Sequence, residues 1–357
     1  MNDSIEDVLI RREGRAGRIT LNRPKALNAL TLDMVRRIAP ALADWARDPQ
    51  IGVVILDGAG DRALCAGGDV ISLYNARSAG SAVARAFWRE EYALNAAIHR
   101  YPKPFVPIMH GIVMGGGIGL SAHVQGRTRI VTEKSRIAFP ETTIGLIPDV
   151  GGTWLLGRAP GGIGAYLALL GAPMAAADAI HAGFADVFVA SERIGALVDE
   201  LCIDRAAPID VIGRFASTAG TGDIQGMAAR IAAVFSSDSL EGMRDSLRRD
   251  DSEWARKALA DLGARSPTAL KTTLAAIRRA AGYDCLEAAL EVEFLLCTNL
   301  YEDGEFIEGV RALLVDKDKA PKWHPPALEQ VTSERVERQF APLAGGDALT
   351  LPRPAKS

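Results

Sequence analysis

The sequence predicts an α/β fold in its first half, continued by a region built of helices alone. Three observations predict it. Short apolar runs alternate with helix-period segments through the first half, the order of a largely parallel sheet with covering helices. Past about residue 208 the strand signal stops and long amphipathic stretches take over. Glycine pairs and triplets follow two of the apolar runs, at 67–68 and 115–117, where a strand end opens into a loop.

The elements follow in chain order. Residues 8–10 and 18–21 are short apolar runs around a turn at Gly14 and Gly17, and read as two strands. Over 31–45, Met34, Ile38, Leu42 and Trp45 recur at helical spacing behind Thr31, a suitable N-cap. The run at 53–56 is continuously apolar, as suits a strand covered on both faces. Residues 82–98 are helical, 105–110 form a strand entered through Pro102 and Pro104, and 129–131 and 137–139 read as two more. Later helices are expected over 266–280, where Pro267 stands at the first helical position behind Ser266, and over 286–300 and 305–315. This divides the chain into an α/β core over 1–205, a helical region over 206–340, and a tail over 341–357. The tail is rich in Pro, Gly and Ala and is expected to be mobile.

Composition excludes several function classes. The 357 residues carry a net charge of −3, which gives no basic footprint for nucleic acid. Cys65, Cys202, Cys285 and Cys297 show no CxxC spacing and no zinc-type cluster with histidine, so they read as reduced thiols with no metal. No apolar run reaches the ~18 residues that a bilayer span needs. Residues 1–7 are polar and acidic, without the basic-then-apolar order of a leader. The expectation is a cytoplasmic protein with no membrane or nucleic-acid partner.

Two glycine segments and one acidic segment carry the chemistry. Cys65-Ala66-Gly67-Gly68-Asp69-Val70 and His110-Gly111-Ile112-Val113-Met114-Gly115-Gly116-Gly117 each follow a predicted strand. Bare backbone there lets a ligand approach N–H groups, and glycines opening a helix aim its positive end at whatever binds. Two such donors from different loops suit a carbonyl oxygen that becomes an oxyanion. The run Gly117-Ile118-Gly119-Leu120-Ser121-Ala122 also fits a dinucleotide fingerprint, but it lies deep in the chain rather than in an opening βαβ unit. Glu141 and Asp149 stand eight residues apart in an apolar stretch broken by Gly145 and Pro148, so both could face one cavity. Acids in apolar surroundings are tuned upward for proton transfer or attack. Taken singly, an acid after proline is also what a helix N-terminus favours. His99, His110, His123, His181 and His324 are scattered outside any GxSxG or HExxH context, and Cys65 reads as packing beside the glycine loop.

The order Arg23-Pro24-Lys25-Ala26-Leu27-Asn28, Ala66-Gly67-Gly68-Asp69, His110-Gly111 with Gly115-Gly116-Gly117, Pro140-Glu141 and Gly151-Gly152-Thr153 resembles the crotonase (enoyl-CoA hydratase/isomerase) superfamily. The resemblance implies a crotonase-like ββα spiral core and an acyl-CoA ligand. It implies a CoA site in which Lys25, Ala26 and Leu27, with Ala66, Gly67, Asp69 and Val70, hold the adenine and pantetheine end. It also implies an oxyanion hole from the N–H groups of Gly68 and Gly116. The glutamate that hydratases carry shortly after the triple glycine is Gly119 here, whereas the later glutamate is Glu141.

Glu141 with Asp149, Glu90-Glu91-Tyr92, and the run from Phe306 to Asp318 are similar to the 3-hydroxyisobutyryl-CoA hydrolase branch. That likeness implies thioester hydrolysis serving valine breakdown, with no cofactor beyond the CoA of the substrate. Glu141 either attacks the carbonyl or activates water, Asp149 positions water or the 3-hydroxyl, and Glu91 lines the acyl pocket. Trimers or hexamers are implied by the wider family. The competing readings are an isomerase or lyase using Glu141 alone, and a non-catalytic acyl-CoA-binding protein.

Overall fold

The computed structural model describes residues 6–353. Their compact units interleave along the chain. One comprises the described part of Met1–Gly68 with Glu90–Ile137 and Met174–Gln225; the other comprises Asp69–Arg89, Ala138–Pro173 and the described part of Gly226–Ser357.

The first unit is built on a sheet. Its strands are β1 (Val8–Glu13), β2 (Ala16–Leu21), β3 (Val53–Gly58), β4 (Ala63–Cys65), β5 (Phe105–Met109), β6 (Ile112–Met114), β7 (Ile130–Val131), β8 (Arg136–Ala138) and β9 (Val187–Phe188). A six-stranded sheet runs β1-β2-β3-β5-β7-β9, and β4-β6-β8 form a second, three-stranded one. Only β1 and β2 pair antiparallel in the larger sheet; Ile19 pairs with Leu56 and Ile108 with Ile130 in parallel register. The five apolar and acidic positions Val53 to Asp57 are all buried, as a strand covered on both faces requires. Thr31 caps the helix Leu32–Arg47 by accepting from the Met34 N–H at 3.2 Å.

Residue 205 falls inside this unit. Leu197 and Leu201, from the helix before it, and Val211, Ile212 and Phe215, from the helix and turn after it, share one apolar cluster with Val53, Ile55, Val106 and Ile108. The strands β4, β6 and β9 were not expected; each has only two or three residues, too few to show a period of two.

The second unit is helical. Ile163–Leu170 is buried along its whole length and packs on Pro267–Ala280, which also covers Gly152–Leu156. Tyr166, Phe235 and Trp254 form an aromatic cluster with ring centroids 5.2–6.3 Å apart. Leu286–Glu302 follows its expected course, while the expected helix over 305–315 is α-helical only through Val310 and widens to a π-turn over Arg311–Val315.

The described part of the tail is tied down rather than mobile. Leu343, Leu349 and Leu351 are buried, the Leu351 N–H donates to Glu291 at 2.8 Å, and Arg89 donates to Asp347 at 2.5 Å. Three spaced leucines outweigh the loop-type composition around them; residues 354–357 lie outside the described part. No helix among the described residues is long and apolar enough to cross a membrane.

Candidate active site

In the first unit the two CoA-loop candidates are joined by backbone. The Ala66 N–H donates to Leu27 O at 3.0 Å and the Leu30 N–H to Gly67 O at 2.8 Å. Lys25 and Ala26 lie exposed on a 3-10 turn, and the chain then enters the left-handed region at Leu27 (φ 51°) and Asn28 (φ 57°). Asn28 makes this path affordable. Fully buried, it accepts from the Arg23 N–H at 2.9 Å and donates to Ala63 O at 2.8 Å and Ala59 O at 3.1 Å.

Gly116 opens the one-turn helix Gly116–Gly119 behind Gly115, whose φ is 43°. A Cβ on Gly116 would lie 2.5 Å from Glu91 Oε1, 3.4 Å from Leu30 and 3.5 Å from the Gly68 nitrogen. Gly68, Gly116 and Glu91 therefore share one small volume. Glu91 is 2% exposed, while its neighbour Glu90 turns outward to a bidentate pair with Arg36 at 2.7 and 2.8 Å. Successive helix positions point about 100° apart, which is why one acid of the pair is inside and the other out. Cys65 is fully buried and its thiol is pushed up to about 12 by burial, so it stays a thiol and packs. His110 Nδ1 contacts Thr132 Oγ1 at 3.0 Å, a structural tie.

In the second unit Asp69 caps the helix Val70–Asn75, accepting from the Ser72 N–H at 3.2 Å. Glu141 opens a 3-10 turn, Glu141–Ile144, that ends at Gly145 with φ 70°. Gly145 is required there: a Cβ would lie 2.3 Å from Glu305 O. Glu141 and Asp149 are each 6% exposed. Burial pushes the Glu141 carboxyl well above the usual range, and the neighbouring Asp149 and then Glu293 raise it further. Glu141 Oε2 is buried and has no hydrogen-bond partner among the described residues. Thus the eight-residue spacing does bring both acids into one buried cluster.

Comparison with known proteins decides the family. Residues 16–340 match the family described as enoyl-CoA hydratase/isomerase. The chain belongs to that family. It is 41% identical over 357 residues to a curated 3-hydroxyisobutyryl-CoA hydrolase, mitochondrial, of Xenopus tropicalis, covering 97% of this chain and 92% of that one. The Homo sapiens protein of the same name is 40% identical over 354 residues, covering 97% and 91%. Among solved structures, a carnitinyl-CoA dehydratase from Mycobacterium thermoresistibile is 43% identical with a TM-score of 0.91, covering 97% of this chain and 98% of that one. An enoyl-CoA hydratase from Rhodobacter sphaeroides 2.4.1 is 41% identical with a TM-score of 0.89, covering 97% and 100%. These likenesses show the crotonase-like fold expected from the motifs.

Within this member of the enoyl-CoA hydratase/isomerase family, the dinucleotide fingerprint has a structural answer. Its glycines build a helix of four residues, not the long helix that receives a pyrophosphate. Gly119 is buried in that helix. Sequence reasoning missed two residues. Asn28 sat inside a quoted motif without a role. Glu293 was hidden in a helix, although its place beside Leu290, Phe294 and Cys297 on the apolar stripe marks a buried charge.

Proposed function

We propose that this chain hydrolyses a short-chain 3-hydroxyacyl-CoA thioester, with 3-hydroxyisobutyryl-CoA as its substrate and 3-hydroxyisobutyrate and CoA as products, in valine catabolism. The observation that carries the reading is the buried acid pair Glu141 and Asp149 combined with glycine at position 119. One acid position of a hydratase is empty, and a different acid stands near Glu141. The names of the curated relatives support the same reaction.

In this reading the N–H groups of Gly68 and Gly116 receive the thioester oxygen. Their proximity, and the absence of a side chain on either, support that role. Such donors contribute about 3 kcal/mol each to the transition state. Ionised Glu141 attacks the carbonyl carbon. The C–S bond breaks, CoA leaves as the thiolate, and a mixed anhydride forms; water then cleaves the anhydride and returns the carboxylate. A desolvated carboxylate is a stronger nucleophile than a hydrated one, which the burial of Glu141 supports. Asp149 positions the water or the 3-hydroxyl, and Glu91 lines the acyl pocket. Lys25, Ala26, Leu27, Ala66, Gly67, Asp69 and Val70 line the path of the CoA moiety. The reaction uses no cofactor.

A second reading is an isomerase or hydratase-like lyase, favoured by the dehydratase and hydratase descriptions of the two solved structures given above. A panel of 3-hydroxyisobutyryl-, 3-hydroxypropionyl-, 3-hydroxybutyryl-, acetyl- and crotonyl-CoA separates them. Thiol release from a short 3-hydroxyacyl thioester supports hydrolysis. Loss of enoyl absorbance from crotonyl-CoA without thiol release overturns it, and binding with neither reaction identifies a non-catalytic member.

The free cysteines among the described residues support a reducing compartment, and within that class we place the chain in the cytoplasm. Fractionation that recovers it inside an organelle overturns this. The homo-oligomer is a trimer or hexamer, which light scattering measures directly.

A further inference from the structure

The segment after Asp149 follows an unusual path. Val150 has φ 54° and Gly151 φ 80°, so two consecutive residues are left-handed and the first is β-branched. A β-branched residue there is a genuine outlier and persists only where the surroundings over-determine it. Val150 is also buried, at 1% exposure.

One carboxylate holds the residues that follow it. Glu293 Oε2 accepts from the Gly151 N–H at 2.6 Å, and Oε1 accepts from the Thr153 N–H at 2.9 Å and the Thr153 hydroxyl at 2.5 Å. Both oxygens are thereby used on one turn. Glu293 is fully buried on the 17-residue helix Leu286–Glu302, and Leu290, Phe294, Leu296 and Cys297 around it are each 0% exposed. The Gly152 N–H closes the loop on Asp149 O at 2.6 Å.

We propose that Glu293 is a positioning residue: by clamping Gly151 and Thr153 it holds Val150 left-handed and so fixes the direction in which Asp149 presents its carboxylate. The inference rests on the reading above in which Asp149 serves hydrolysis. A buried acid whose two oxygens are tied to two backbone N–H groups and one hydroxyl is held in a single geometry, and it holds its partners likewise. The same contacts also satisfy the orphan donors that open the short helix Gly152–Leu156. A purely structural cap would stabilise that helix without caring which way Val150 turns. The clamp makes the strain at Val150 part of the site.

The test compares wild type, Glu293→Gln, Val150→Gly and the double variant. Glutamine keeps the shape but sets an amide NH2 against one of the N–H donors. Expected is a kcat for thiol release from 3-hydroxyisobutyryl-CoA lowered by about 10²-fold, the scale of a small misplacement, with KM changed far less. Glycine at 150 takes the left-handed path without strain. In the Glu293→Gln background Val150→Gly is therefore expected to restore kcat by about tenfold. Wild-type kcat in Glu293→Gln, or no recovery in the double variant, overturns the proposal. If Glu293→Gln does not fold, Thr153→Val removes one donor only, and an unchanged kcat there overturns it as well. A crystal structure of Glu293→Gln reads the clamp without any substrate. Val150 leaving the left-handed region supports it, and Val150 unmoved overturns it, even if the wild type releases no thiol and the hydrolase reading itself has failed.

Discussion

Gly116 and Glu91 stand so close that only a missing side chain permits it: a Cβ on Gly116 would be 2.5 Å from Glu91 Oε1. An acid thus lies against the two glycines proposed as oxyanion donors, on the helix Ala82–His99. Substituting Gly116→Ala forces the Glu91 carboxylate and the Leu30 side chain away from that space. The fold survives, because the nearest colliding atom is the end of a flexible side chain. The N–H at 116 remains, but the added methyl stands 3.5 Å from the Gly68 nitrogen, in the space where the thioester oxygen is proposed to bind, and thiol release falls about 10²-fold, the scale of a small misplacement. A melting temperature close to wild type with that loss supports the assignment; undiminished release removes Gly116 from the site.

Asn28 carries a second prediction. Three hydrogen bonds and a left-handed backbone converge on this buried side chain. Asn28→Ala strands the Arg23 N–H and two carbonyls and leaves alanine in a strained conformation. The expected loss is about 3 kcal/mol of unfolding free energy, measured by denaturant titration. The loop from Lys25 to Leu27 is held through the same residue, so KM for acyl-CoA rises in the fraction that folds. A variant as stable as wild type contradicts this account.

The elements legible in the sequence are those with enough residues to show a period. Thr31 as N-cap, the buried run from Val53, and the helix opened by Ser266 and Pro267 are found where the sequence puts them. Glu141 and Asp149 were legible because an acid in an apolar stretch is rare. The Glu293 clamp was not, because it joins residues 140 and 142 positions apart, and no local pattern encodes that pairing. The interleaving of the two units was hidden for the same reason. Residues 138–173 carry the acids of a helical unit while sitting between two stretches of a sheet unit.

Glu141→Gln separates chemistry from stability. It abolishes nearly all turnover and spares CoA binding, measured by thiol release and calorimetry. The sign of the stability change follows from burial. The carboxyl is raised well above its ordinary value in the folded chain, so folding favours its protonated form. Stability from this group is fully present below about pH 4.5 and is lost as pH rises through the raised folded value. Glutamine does not ionise and escapes that loss. The variant therefore melts higher than wild type at about pH 9, and its advantage shrinks toward about pH 4.5. An advantage independent of pH would show that Glu141 is not desolvated.

Asp149→Gly probes the acid that departs from the hydratase pattern. Removing it takes away the group proposed to position water or the 3-hydroxyl, and thiol release from 3-hydroxyisobutyryl-CoA falls by about 10²-fold. Hydration of crotonyl-CoA does not appear in its place, because position 119 is still glycine and offers no second acid. The same substitution moves a pH profile. Asp149 is the largest charge effect on Glu141 and acts to raise it. Without that charge Glu141 ionises at lower pH, so the acidic limb of kcat/KM shifts down relative to wild type. A stationary limb would mean that the two carboxylates do not interact, and gain of crotonyl-CoA hydration would mean that the acid at 149, rather than the glycine at 119, is what keeps this chain from the hydratase reaction.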